Sequence, residues 1–373
     1  MARNLEFGLD TFGDITVAPG GGVSSHAQAI RDVIEEAVLA DELGIDAFGV
    51  GEHHRPDFAI SAPEVVLAAI AGRTKRIVLG TAVTVLSTDD PVRVFERFST
   101  LNAASNGRAE ITLGRGSFTE SFPLFGYDLS QYEQLFEEKL DLFAALIRQD
   151  AVTWRGKTRP PLADQRVFPP LERGPLKTDP AKNDADTTDA PTTDALRTDA
   201  LRTDALRTWI GVGGSPESVI RAARYDFPLM LAIIGGDPKR FLPYVDLYRR
   251  TYVELGRPAK QIGLHAHGYV ADSDQQAREE LWPHYRASRD RIGAERGWPP
   301  VTRASFDAEA EQGALNVGAP ETVARKIAAT ARALGIARFD MKYSQGTLPH
   351  DKLMRSIELY GRKVIPLVRD MLA

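Results

Sequence analysis

Two of the chain's seven histidines are adjacent, in the run Gly51-Glu52-His53-His54-Arg55-Pro56-Asp57. Imidazole changes charge close to neutral pH, so this pair beside Glu52 is suited to moving protons. Side chains of neighbouring residues in an extended segment point to opposite sides, so one imidazole should face a cavity while the protein holds the other. The competing reading is a loop whose histidines only bond backbone. A second run, Gly114-Arg115-Gly116-Ser117-Phe118 with Phe122 following, puts a fixed cation amid open backbone and two aromatic rings nearby. Arginine in that setting fits a phosphate or carboxylate. Phe118 and Phe122 would wall an apolar pocket, or the segment is a plain surface turn. A third run, Gly213-Gly214-Ser215-Pro216-Glu217-Ser218, reads as a helix start with Ser215 as its cap and Pro216 in the first turn. Free N–H groups there attract an anion, most often a phosphate. His265 and His267 alternate on one strand and suggest a metal pair, but no carboxylate cluster accompanies them, so no metal site is assigned. His26, His284 and His350 read as solvated positions on or beside helices.

These groups need a frame, and the frame is a strict alternation. Strand-like stretches fall at 5–10, 47–50, 77–86, 109–113, 209–212, 229–234, 262–270 and 338–342. Helical stretches fall at 27–43, 63–71, 91–104, 132–147, 216–224, 239–255, 273–291, 320–334 and 353–368. Strand followed by helix, repeated, implies parallel strands covered by helices. An open dinucleotide-binding sheet would carry Gly-x-Gly-x-x-Gly after its first strand. Here the first strand enters Gly8-Leu9-Asp10-Thr11-Phe12-Gly13 and then a polar loop. The prediction is therefore an α/β (β/α)₈ TIM barrel, a single domain over 1–373. In such a barrel the loops after the strands carry the reactive groups, and that is where all three runs fall.

One segment departs from the pattern. Across 172–208 the aromatics vanish, and Thr-Asp-Ala-Leu-Arg stands three times in tandem, at 193–197, 198–202 and 203–207. A period of five turns each successive leucine about 140° around a helix, so no continuous apolar face forms. The segment reads as a low-complexity, disordered insertion within the barrel.

Composition narrows the classes. Basic and acidic residues number 46 and 51, a net charge of -5, which argues against nucleic acid or an anionic membrane as the main partner. The chain has no cysteine, which excludes disulfides, thiolate nucleophiles and cysteine-held metal centres. No apolar run approaches the roughly 18 residues that span a bilayer, and the N-terminus has no signal-like segment. The expectation is a soluble cytoplasmic protein.

Taken together, Gly51-Glu52-His53-His54, Gly80-Thr81-Ala82-Val83-Thr84-Val85-Leu86 with Asp90-Pro91-Val92-Arg93, and Asn106-Gly107-Arg108 leading to Gly114-Arg115-Gly116 resemble the bacterial luciferase-like family of flavin-dependent monooxygenases. The resemblance runs from Leu5 to about Val368 outside the repeats. It implies a barrel that binds flavin mononucleotide, FMN, or in some branches a deazaflavin, at the rim. It makes His53, with Glu52 and His54 beside it, the catalytic group next to the flavin ring. Ala82 and Val83 fall where the family has a non-prolyl cis peptide, Arg115 near the phosphate or ring edge, and Gly213, Gly214, Ser215 and Ser218 in the phosphate cradle. Light-emitting relatives carry a reactive cysteine at the position of Gly114. The implied activity is that of an oxidoreductase acting on paired donors, in which reduced FMN and molecular oxygen oxygenate a small apolar aldehyde or carbonyl compound. Phe118 and Phe122 would line the substrate side. No nicotinamide fingerprint is present, so a separate flavin reductase is the expected partner, and a homodimer the expected assembly. A deazaflavin-dependent dehydrogenase on the same barrel is the nearest alternative. A metal-dependent hydrolase built on Glu52, His53, His54, His265 and His267 and a non-catalytic flavin carrier are the other rivals.

Overall fold

A computed structural model describes residues 5–18, 20–116, 118–171 and 206–373. Strand β1, Glu6–Thr11, is buried along its whole length and pairs in parallel with β2, Ala47–Val50, on one side and with β12, Arg338–Lys342, on the other. Register explains one glycine here. Gly8 stands opposite Asp340, and a Cβ at position 8 would come within 2.0 Å of Asp340 Oδ1. β2 continues to β3, Val78–Thr81, whose line resumes after a break as β4, Thr84–Val85. The predicted strand at 77–86 is thus two pieces, interrupted where the Ala82–Val83 peptide bond is cis.

The circuit closes through this interrupted strand. Leu79 pairs in parallel with Ala109, and β4 pairs with β5, Glu110–Gly114. β5 pairs with β8, Arg207–Val212, then follow β9, Leu229–Ala232, and β10, Ile262–Val270, which returns to β12. Counting β3 and β4 as one, the described residues form eight parallel strands in chain order around a barrel, as the alternation predicts. Helices cover the outside, burying apolar faces such as Val33, Ala37 and Ala40 of His26–Glu42. Several starts are capped as their sequences suggest, with Ser25, Asp90 and Ser215 accepting backbone N–H bonds.

β6, Val152–Trp154, and β7, Leu162–Gln165, form a small antiparallel hairpin outside the barrel, within 151–168, the one stretch where the sequence leaves room for antiparallel pairing. The structure differs from the sequence reading at three places. The helix Arg303–Gln312 and the three-residue β11, Asn316–Gly318, lie in a stretch without predicted elements. That helix buries only Phe306 and Ala310, too thin a stripe to show as periodicity, although Thr302 and Ser305 form a capping box. The closing helix divides into His350–Leu359 and Ile365–Leu372 around a π turn at Tyr360–Val364. Pro366 supplies the reason, because it lacks an N–H and its ring crowds the carbonyl four residues back. Finally, residues 172–205 of the repeat segment lie outside the described residues, but its last three do not. Leu206 is buried and Arg207 opens β8, so the final repeat runs into the barrel.

Arg207 shows what the barrel floor is made of. Its guanidinium donates two bonds to Glu6, both at 3.0 Å, and one at 2.9 Å to Glu110. Arg338 pairs with the other Glu110 oxygen at 2.6 Å and donates to Asp340 at 2.7 Å. The lower barrel is therefore filled by a charge network rather than by aliphatic layers alone. Trp209, fully buried, lies against both arginines.

Candidate active site

The loops after the strands surround a cavity of about 540 Å³ at the C-terminal end of the barrel. The wall next to the break in β3/β4 is built by close approach. Val83 lies over the backbone of Gly114 and Gly211, where added Cβ atoms would stand 2.5 and 3.3 Å from its methyl groups. The segment is tied to the loop after β2 by backbone bonds, Ala82 N–H to Val50 at 3.0 Å and Glu52 N–H to Val83 at 3.2 Å. Glu52 completes the tie. Its Oε2 accepts from the Val85 N–H at 2.9 Å, and its Oε1 meets His54 Nε2 at 3.0 Å. The carboxylate thus fixes the far side of the cis bond and the ring of His54 together.

His53 lies in a different environment. Its ring is 4.4 Å from Phe12, 4.7 Å from Phe58 and 5.2 Å from Phe118, centroid to centroid, and its backbone N–H donates to the Ile60 carbonyl at 2.9 Å. Burial pushes its pKa down to about 3, and the Lys342, Arg55 and His54 charges push the same way against Asp14. At neutral pH His53 is a neutral imidazole that offers one donor and one acceptor. The expectation of a group titrating near neutrality is corrected by this aromatic, cation-flanked pocket. Both His53 and His54 line the cavity, rather than one of them only.

Arg55, between these histidines and Asp57, is a residue the sequence did not single out. It pairs with Asp57 at 3.2 Å, with Glu120 after β5, and doubly with Glu295 at 2.6 and 2.8 Å near the end of the long helix Asp274–Arg296. Its guanidinium and that of Arg296 lie 4.5 and 4.9 Å from the Phe118 ring. Phe118 is thereby held over His53 by two cations. Phe122 is not at the cavity: it is buried and stacked on Tyr132, whose OH donates to Gly116 at 2.9 Å. It supports the wall from behind.

The run expected to hold an anion lies at the start of the helix Pro216–Arg224. Gly213 and Gly214 are exposed, with φ +130° at Gly214 and nothing within 4 Å of a Cβ at Gly213. Ser215 Oγ accepts from the Ser218 N–H at 3.3 Å and donates to Glu217 at 2.7 Å. Two arginines converge here. Arg115 pairs with Glu133, and Arg221 pairs with Glu137, lies 3.6 Å from Glu133 and donates to Ser218 Oγ at 3.2 Å. Glu133 is a shared counter-ion for both. Arg221, like Arg55, escaped the sequence reading because it lies inside a helix whose other charges are exposed.

Across the cavity, β1 and β10 bring Asp10 and His265 together, Oδ2 to Nδ1 at 2.5 Å. Burial works against a charge on His265, but the Asp10 carboxylate outweighs it, so its pKa is raised. Asp340 on the same wall is pushed up to about 6 by burial, against the pull of Arg338. His267 is half-buried, and desolvation with the Lys342 charge holds its pKa well below the ordinary histidine value. No group of three or more His, Asp or Glu side chains among the described residues is arranged to hold a metal ion. Two of the three histidines read as solvated are partnered, His284 with Thr347 at 2.8 Å and His350 with Glu36 at 2.9 Å.

Residues 6–338 match the family described as luciferase-like monooxygenase. The chain belongs to that family. The limonene 1,2-monooxygenase of Rhodococcus erythropolis is 34% identical over 150 residues, 40% of this chain and 38% of that protein. The curated relatives are matched over only about two fifths of their length, 41% and 39% for two proteins of Sinorhizobium fredii. Among solved structures, the oxygenating constituent of 3,6-diketocamphane monooxygenase from Pseudomonas putida, in complex with FMN, superposes with a TM-score of 0.70 at 18% identity, covering 97% of this chain and 98% of that one. An F420-dependent secondary alcohol dehydrogenase superposes at 0.69 with 17% identity, covering 98% and 100%. For this luciferase-like protein, likeness at that identity speaks to the shared barrel.

Proposed function

We propose that this chain is a flavin-dependent monooxygenase that takes reduced FMN from a separate reductase and uses molecular oxygen to oxygenate a small organic substrate. A homodimer in the cytoplasm is part of the same reading. The observation that carries it is the pairing of an anion end with a thin wall. Arg115, Arg221 and Ser215 gather at a helix start, and the adjoining wall is Val83 over two glycines, shaped to receive a flat ring. The residues fit FMN: Gly213, Gly214, Ser215 and Ser218 would hold its phosphate, Arg115 and Arg221 would balance the charge, and Ala82 and Val83 would face the ring. When bound, reduced flavin supplies the activation of oxygen.

The chain's own residues do the rest. Phe12, Phe58 and Phe118 keep water from the His53 side. His53, neutral there, presents a donor or acceptor to a reacting oxygen without bringing a charge. Glu52 orients His54 and holds the backbone of the wall. The Arg55 clasp keeps Phe118 over the cavity. A deazaflavin-dependent dehydrogenase is the second reading, favoured by the likeness to the F420-dependent enzyme. Titration with oxidised and reduced FMN and with the deazaflavin, followed by oxygen uptake, tests both. Binding of reduced FMN with substrate-dependent oxygen consumption is expected. Tight binding of the deazaflavin alone, with no oxygen uptake, transfers the case to the dehydrogenase.

A further inference from the structure

The cavity has a polar end that the flavin reading does not use. Asp10 and His265, brought together from 255 residues apart, both line it on the side of β1 and β10. Asp10 is 2% exposed, and while Oδ2 is bonded to His265, Oδ1 has no hydrogen-bond partner among the described residues. A buried carboxylate oxygen left without a donor is costly, and such an orphan in a cavity marks a place for a ligand's donor. Gly49 stands beside the pair, where a Cβ would lie 3.2 Å from Asp10 Cβ and 3.3 Å from Ala82 Cβ. The Phe12 ring stacks parallel to His265 at 6.3 Å and meets His53 at 4.4 Å, so the polar pair and the aromatic pocket share one side of the cavity.

We propose that the Asp10–His265 pair is the polar subsite for substrate: Asp10 Oδ1 accepts a hydrogen bond from an O–H or N–H group of the bound molecule. His265 fixes the other carboxylate oxygen and so aims this one. The substrate class is therefore an alcohol or amine-bearing molecule with an apolar body against Phe12 and Phe118, rather than a purely apolar carbonyl compound. This deepens the proposed function and rests on it in taking the same cavity as the substrate site.

Benzyl alcohol and benzyl methyl ether, alike except for the donor, are the probes. Their binding is followed by ligand-observed NMR with the full chain, with and without FMN. The alcohol is expected to bind roughly tenfold tighter than the ether, the scale of one hydrogen bond to a charged group. Asp10→Asn keeps a bond to His265 while turning its amide N–H₂ to the cavity, and should abolish or reverse that preference. Equal binding of the two probes by the unaltered protein, or failure of the alcohol to bind, overturns the proposal without needing any variant to fold. A preference that survives Asp10→Asn overturns it as well. An Asp10→Asn loss of FMN affinity with the probe preference intact would assign Oδ1 to the cofactor's own N–H and sink the substrate assignment. Discrimination between the probes in a protein that ignores FMN would instead count against the monooxygenase reading alone.

Discussion

Gly114 is held to glycine by Val83: a Cβ at position 114 would lie 2.5 Å from Val83 Cγ2 and 3.1 Å from its Cβ. Any side chain there must displace the wall against which the flat ring is proposed to lie. Gly114→Ala is expected to cost about 1–3 kcal/mol, the usual range for overpacking, and to weaken FMN binding. Val83→Ala in the same chain should recover most of the stability. Denaturant unfolding and FMN titration of the three variants check this, and an unaffected Gly114→Ala would show that Val83 yields freely.

Glu133 stands where a phosphate would compete with it. Both arginines of the anion end lean on this one exposed carboxylate. Glu133→Gln should therefore tighten binding of FMN and of inorganic phosphate, while Arg221→Ala should weaken FMN binding by roughly tenfold or more, the scale of a lost charge-assisted bond. Isothermal titration at low and raised salt reads both.

His53 is held near pKa 3, so it does not change charge across the neutral range. Turnover should show no inflection from His53 between about pH 5 and about pH 8. His53→Gln, which keeps a neutral donor and acceptor, should retain far more activity than His53→Ala. The imidazole nitrogen shifts followed by NMR through that interval should stay those of the neutral ring.

The network under the cavity is an uncompensated charge waiting to be made. Arg338→Met leaves Asp340 without its cation and Glu110 with Arg207 alone, and removing one partner of a buried pair costs about 3–5 kcal/mol. Urea unfolding should register that loss. A change below about 1 kcal/mol would mean that water reaches the floor.

His350 gives the protein a pH dependence of stability. Its hydrogen bond to Glu36 raises its pKa against the effect of burial. The protonated ring therefore contributes stability that is fully present below the ordinary histidine value and is lost as pH rises through the raised one. Unfolding midpoints at about pH 6 and about pH 9 should show a fall for the native chain and a smaller one for His350→Gln.

The barrel was legible because alternation is written locally. Strands such as 47–50 and 229–234, and helices such as 63–71 and 91–104, each carry their own apolar pattern and their own Pro, Ser or Asp start. The segments Glu52-His53-His54, Arg115 and Gly213–Ser218 stood out for the same reason, being runs of unusual residues directly after strands. Their placement together required only that parallel strands present all such loops at one end.

Other features depend on residues far apart in the chain and have no local mark. Asp10 meets His265, Arg207 meets Glu6, and Arg55 meets Glu295, across 255, 201 and 240 residues. The neutrality of His53 likewise comes from Phe12, Phe118 and Lys342, none of them its neighbours in sequence. Residue types and periodicity determined that a parallel barrel would display histidines and a glycine-rich helix start at its rim. Only the closed tertiary structure decided which charges are buried and which oxygen lacks a donor, because desolvation and Coulomb forces act through space and not along the chain.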